Sequence, residues 1–262
     1  MFESFILQIS FYAIFLFYLA QLENPVRTVA FYTYISLVLL VGGFVGSVLS
    51  IPITDSINIS AGNLAYGALM MTSIIFIIIE RDLFIIRGIV RLVITVNMFK
   101  ISMFTIVAWN LGQEETINPY NTSASVFDAS VRFTILGGIL IISELVLILY
   151  IFEKLKKTIM HPFILSIAYV SIFIFVLCLD GVAFPIIAFG FSDQLVNIVV
   201  GGVKGKLIMA SAFSVPLGAF LYIYRDRIAE YASDASFAWK HLFVSSSALM
   251  RDMKVNENNE VA

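Results

Sequence analysis

The sequence predicts an all-α, polytopic transmembrane helical bundle of seven spans, and three observations predict it. Of the 262 residues, 60% are hydrophobic and 13% charged, whereas soluble domains run at roughly half apolar and about a quarter charged; mean hydropathy is +0.96. Apolar runs of about 20 residues recur, each long enough to cross the hydrocarbon core as a helix. Lysine and arginine alternate between successive links, as they do when every second link faces the cytoplasm.

Taken in order, the apolar segments are 4–22, 28–51, 62–79, 83–109, 131–152, 162–191 and 198–224. The first has neither a basic leader nor an A-x-A-like cleavage site, so it reads as a retained span. The third is short, which makes six spans the main rival count. The fourth is the least regular, carrying Arg87, Arg91, Asn97 and Lys100. Arg27 lies between spans one and two, Arg81 between three and four, Lys154, Lys156 and Lys157 between five and six, and Arg225 and Arg227 after the seventh. The links 52–61, 110–130 and 192–197 hold no Lys or Arg. The N-terminus is therefore expected outside and the C-terminus inside.

Two units follow: a membrane domain, 1–227, and a cytoplasmic tail, 228–262, in which 237–250 could lie on the inner membrane surface through Trp239, Leu242 and Phe243. The sequons at Asn58 and Asn121 fall in expected outer links; the tripeptide is common and both read as chance unless the source is archaeal or eukaryotic. Cys178 reads as a small packing residue. Glu80, Arg81 and Asp82 read as a solvated turn at the inner surface.

Charges within a span usually face a bundle interior or a wet cavity. The alternating topology puts Asp180 of the sixth span and Lys204 and Lys206 of the seventh in the outer half. Lys100 and Asn97 of the fourth lie at or above the middle, and Glu144 of the fifth near it. These groups could meet in one outward-facing pocket. Lys204 and Lys206 are two residues apart, about 200° around a helix, so Lys206 is assigned to the pocket and Lys204 to the surface. Gly181 and Pro185, and Pro216 in the seventh span, are candidate hinges. The alternative is that Asp180–Lys206 and Glu144–Lys100 are structural ion pairs. Arg87 and Arg91 read as snorkelling anchors, and Gly42, Gly43 and Gly46 as a close-packing face.

Several function classes lose support. There is no H-E-x-x-H, cysteine pair, G-x-S-x-G or phosphate loop, so catalysis, a metal and a cofactor are not expected. No basic run suggests nucleic acid.

ISAGNLAYGALMMTSIIFIIIERDLFIIRGIVR (59–91) resembles a segment of the vitamin-uptake-like membrane superfamily, which includes queuosine-precursor transporters and a related sensor domain. LDGVAFPIIAF (179–189) and GGVKGKLIMASAFSVPLGAFLYIY (201–224) match its aspartate, phenylalanine, lysine, alanine and proline pattern at Asp180, Phe184, Lys206, Ala210 and Pro216. RFTILGGILIISELVLILYIFEKL (132–155) and the extra first span look like the sensor version. The resemblance implies a helical bundle whose outer half takes a small vitamin- or nucleobase-like molecule. The tail is too short for a kinase or cyclase module, so a sensor is expected to signal through a separate protein reached by 225–262. The alternatives are a non-catalytic subunit of a membrane complex and, with least support, a retinal-type photoreceptor. The expected location is the cell membrane, and the expected partners are lipid and a small-molecule ligand.

Overall fold

The computed structural model describes residues 2–54, 57–80, 83–159, 161–191 and 194–233. Within them run α1 (Phe2–Ala20), α2 (Val26–Val48), a two-stranded hairpin of β1 (Ser50–Thr54) and β2 (Ile57–Ser60), α3 (Ala61–Glu80), α4 (Leu83–Leu111), α5 (Ala124–Thr158), α6 (Pro162–Phe189), α7 (Leu195–Ile223) and α8 (Arg225–Ser233). The seven helices α1 to α7 are each long and apolar enough to cross a membrane, and each of the seven expected spans coincides with one of them, overrunning its end by at most three residues. The chain is a multi-pass helical bundle.

The helix ends follow from local chemistry. Pro25 precedes the first turn of α2 and Pro162 opens α6, where a missing N–H costs nothing. Ser123 caps α5, its hydroxyl accepting from Ser125 N, and Lys156 and Lys157 in the last turn suit the negative end of the helix dipole. Gly190, at φ +67°, ends α6 in the backbone region that glycine enters most readily. Between α2 and α3 the β-branched residues Ile51, Ile53, Ile57 and Ile59 favour strand. There the expected link forms the hairpin, with Ile51 opposite Ile59 and both buried.

Helix α3 is the axis of the bundle. Every residue from Gly67 to Ile79 is buried, because the helix has no charge before Glu80 and is apolar all round. The other helices show one face to the bundle and the other to lipid. In α1 the buried residues Phe5, Ile9, Ala13, Leu16 and Ala20 recur at three- or four-residue steps, while Leu7, Phe11, Ile14 and Tyr18 are exposed. Lipid is as apolar as leucine, so close packing between helices leans on small residues. A Cβ on Gly46 would come within 2.7 Å of the Gly62 Cα, and one on Gly202 within 2.9 Å of the Gly181 carbonyl. The expected glycine face of α2 is thus an α2–α3 seam, and a second glycine seam joins α6 to α7.

Contacts fix which links share an end. At one end, Arg27 Nε donates to Glu80 at 2.5 Å and Asn24 Nδ2 donates to Glu80 at 2.7 Å, while α8 packs on α3 and α6. Glu80 is thus paired rather than solvated; the expected turn misjudged it because Arg27, 53 positions away, supplies the partner. At the other end the hairpin lies beside the start of α7, with Gly205 facing Asn58 and Ile59. Residues 228–233, assigned above to the tail, belong to α8, where Ile228 and Tyr231 are buried. The expected surface helix at 237–250 lies outside the described residues.

Candidate functional site

At the hairpin end the bundle holds a partly open hollow of about 380 Å³, lined by residues from six helices, α2 to α7, and by Ser60 of the hairpin. That is within the range of small-molecule sites, roughly 300–1,000 Å³. Its walls are mostly apolar, with a few polar groups converging on it.

Asp180 of α6 and Lys206 of α7 meet there as an ion pair. Both are buried, at 5% and 7% exposure. The Gly181–Gly202 seam brings the two backbones close enough for these short and long side chains to meet. Tyr66 of α3 completes the group: the Lys206 ammonium lies 4.1 Å from its ring centroid, a cation–π contact. The Tyr66 hydroxyl is buried and has no hydrogen-bond partner. Lys204 is exposed, on the opposite face from Lys206, as the two-residue spacing requires.

The facing wall is α4. Asn97 and Lys100, three residues apart and so on one helix face, both line the hollow and are both buried. Each occupies a space opened by a glycine. A Cβ on Gly43 would collide with the Lys100 chain, and one on Gly138 would come within 2.5 Å of Asn97 Nδ2. The Lys100 ammonium donates to the Leu39 carbonyl at 3.4 Å. Thr134, buried in α5, and Asn63, one turn before Tyr66, add further polar groups to the lining. Phe133, Phe184 and Phe189 line it from α5 and α6, the Phe133 ring 5.8 Å from that of Phe184 and 6.4 Å from that of Phe189.

Four of the five residues expected in the pocket, Asp180, Lys206, Lys100 and Asn97, line this hollow. Glu144 does not. It is buried in α5, with Oε2 lacking a partner, close enough to Asp180 and Lys206 to feel their charges. The alternative pairing of Glu144 with Lys100 is not formed: among the described residues no carboxylate lies within ion-pair distance of Lys100. Of the candidate hinges, Pro185 and Pro216 sit inside continuous helices. Pro185 lacks the N–H that would bond to the Gly181 carbonyl, and that carbonyl turns to Gly202 in the seam. Tyr66, Asn63 and Thr134 went unassigned in the sequence. Asn63 carried a legible signal, a polar amide in an otherwise apolar run; Tyr66 and Thr134 carried none.

A family model described as the vitamin uptake-like sensor matches residues 13–221, which include every residue that lines the hollow. Neither the curated proteins nor the solved structures supply a match.

Proposed function

The chain belongs to the vitamin uptake-like sensor family, and from that premise we propose that it binds a small polar organic solute in the hollow at the hairpin end. The carrying observation is a partly open space of about 380 Å³ into which Asp180, Lys206, Lys100 and Asn97 converge from three helices. A carboxylate and an ammonium that satisfy each other when the hollow is empty can turn to a solute when it is full. The Tyr66 ring offers a stacking or edge contact for a planar, nucleobase-like body. No group in this reading performs bond chemistry: the protein is a receptor, not an enzyme.

The basic-residue alternation supports an orientation with the hairpin outside and α8 in the cytoplasm of a cell-membrane protein. On that orientation the solute comes from outside and the response leaves from α8. Four helices that wall the hollow, α3, α5, α6 and α7, also pack against α8. A shift of Lys206 or Asp180 on binding would thus move the support of α8, and the surface from 225 to 262 is where a cytoplasmic partner would read it. Uptake is a second reading, favoured by Pro185 and Pro216 inside α6 and α7 and by the Gly181 carbonyl freed from helix bonding; it needs α6 and α7 to bend so that the hollow opens to the other side.

The test is a thermal-stabilisation screen of purified protein with nucleobases, vitamins and deazapurines, repeated on Asp180→Asn and Lys206→Met. A stabilising ligand whose effect vanishes in both variants is the expected outcome. No shift across the panel, with all three proteins well folded, would favour a non-catalytic subunit whose buried charges only join helices. Flux of a bound solute into proteoliposomes separates uptake from sensing.

A further inference from the structure

We propose that the solute is an anion, a compact organic acid whose carboxylate is held by Lys100; this rests on the binding reading above. The argument begins with charge. The hollow is lined by two ammonium groups and one carboxylate. Asp180 and Lys206 neutralise each other, which leaves Lys100. Its ammonium has three N–H donors and, among the described residues, one protein acceptor, the Leu39 carbonyl at 3.4 Å. The residue is only 5% exposed. A buried cation without a counterion is costly, and water in the hollow relieves that only in part.

The position of Lys100 is built rather than incidental. Gly43 opens the space its side chain fills, and a methyl group there would strike the ammonium. Asn97, one turn away on the same wall, adds an amide that can both donate and accept. Glu144 is the rival counterion, but it does not line the hollow and forms no ion pair with Lys100 among the described residues. Between the Lys100 wall and the Asp180–Lys206–Tyr66 wall the lining is apolar, with Leu69, Ile141 and Phe184. The occupant that fits has a carboxylate at one end, an apolar or aromatic body, and a polar edge at the other. An amine placed at the Lys100 end would instead meet the unpaired cation and be repelled there.

Matched acid–amide pairs test this on the full chain in detergent: nicotinate with nicotinamide, biotin with biotinamide, and pterin-6-carboxylate with its amide. The expected result is that, in any pair that binds, the acid binds at least tenfold more tightly than the amide. Lys100→Met should bring acid and amide within about threefold of each other, while Lys204→Met, on the exposed face, leaves the preference intact. Gly43→Ala, which keeps the lysine but crowds its ammonium, should weaken the acid several-fold and leave the amide unchanged; it covers the case in which Lys100→Met fails to fold. An amide that binds as well as its acid, or an acid preference that survives both Lys100→Met and Gly43→Ala, overturns the anion assignment and leaves solute binding standing. Absence of binding by every member of every pair to folded protein overturns the solute reading and this inference together.

Discussion

Two buried clusters at opposite ends of the bundle are built from the same three kinds of group: a carboxylate, a lysine ammonium and a tyrosine. At the α8 end, Glu153 pairs with Lys156 at 2.9 Å, the Lys156 ammonium lies 4.5 Å from the Tyr231 ring centroid, and the Tyr231 hydroxyl donates to Glu153 at 2.9 Å. At the hairpin end, Asp180 pairs with Lys206, and the ammonium lies 4.1 Å from the Tyr66 ring, but the Tyr66 hydroxyl has no partner and the group borders a hollow. The first is a closed circuit in which each group completes the next. The second is the same circuit left open at the tyrosine. Buried polar groups are nearly always satisfied, so an open one beside a space of about 380 Å³ marks where an external group belongs. The closed cluster is a latch that ties α8 to α5; the open one is where the proposed solute would bind.

The largest expected effect tests the latch. Glu153→Ala strands the buried Lys156 ammonium and removes the acceptor of Tyr231, and breaking such a pair costs about 3 kcal/mol or more. Thermal unfolding in detergent should fall accordingly, and hydrogen exchange in α8 should quicken before that of α3. The double change Glu153→Leu with Lys156→Met removes both charges and should recover much of the loss. If the single change leaves α8 exchange untouched, the latch reading is wrong.

A second comparison concerns the scaffold beneath the open cluster. Gly202→Ala places a methyl group 2.9 Å from the Gly181 carbonyl. Because the obstacle is backbone, α6 and α7 must part, at a cost of about 2 kcal/mol. The Asp180–Lys206 pair should loosen with them, so the variant should lose solute-induced stabilisation as well as melting temperature. An intact ligand shift in Gly202→Ala would mean that the seam does not set the geometry of the pair.

Asp180→Asn probes the open cluster directly. The change keeps the shape and leaves the Lys206 ammonium beside a space that water can enter, so the stability loss should be about 2 kcal/mol, below that of Glu153→Ala. Solute affinity should fall more than tenfold, about 1.4 kcal/mol. A variant that loses several kcal/mol of stability instead would make Asp180–Lys206 a second latch.

The sequence carried the bundle well and the open cluster in part. Charged and amide side chains are so costly in hydrocarbon that Asp180, Lys206, Lys100 and Asn97 announced themselves, and alternation of basic links placed them toward one end before any contact was known. What it could not carry was rotation about the helix axes and pairing across them. Glu144 was assigned to the pocket because of its expected depth, yet it is buried near the Asp180–Lys206 pair without lining the hollow. Tyr66 passed as one aromatic among many, since nothing local distinguishes a hydroxyl that will find a partner from one that will not. Tyr231 lay in a stretch read as tail, because α8 is held by Glu153, 78 positions earlier, and by Ile228 in the core rather than by its own hydrophobicity. The hairpin was missed for a related reason: nine strand residues beside a long apolar span read as link.

The smallest expected effect is the sharpest contrast, because it makes the same atomic change in both clusters. Tyr231→Phe deletes a hydroxyl that donates to a buried carboxylate, a bond worth about 1.5–3 kcal/mol, and should lower stability by that amount. Tyr66→Phe deletes a hydroxyl with no partner. It removes a desolvated polar atom while keeping the ring beneath Lys206, so the empty protein should change by less than about 0.5 kcal/mol, in either direction. The order should reverse for function: Tyr66→Phe weakens any solute that bonds to the hydroxyl, whereas Tyr231→Phe leaves affinity unchanged and alters only what α8 does with it. Equal stability losses from the two substitutions would mean that the Tyr66 hydroxyl is satisfied in the empty protein, and the distinction between a closed and an open cluster would fail with it.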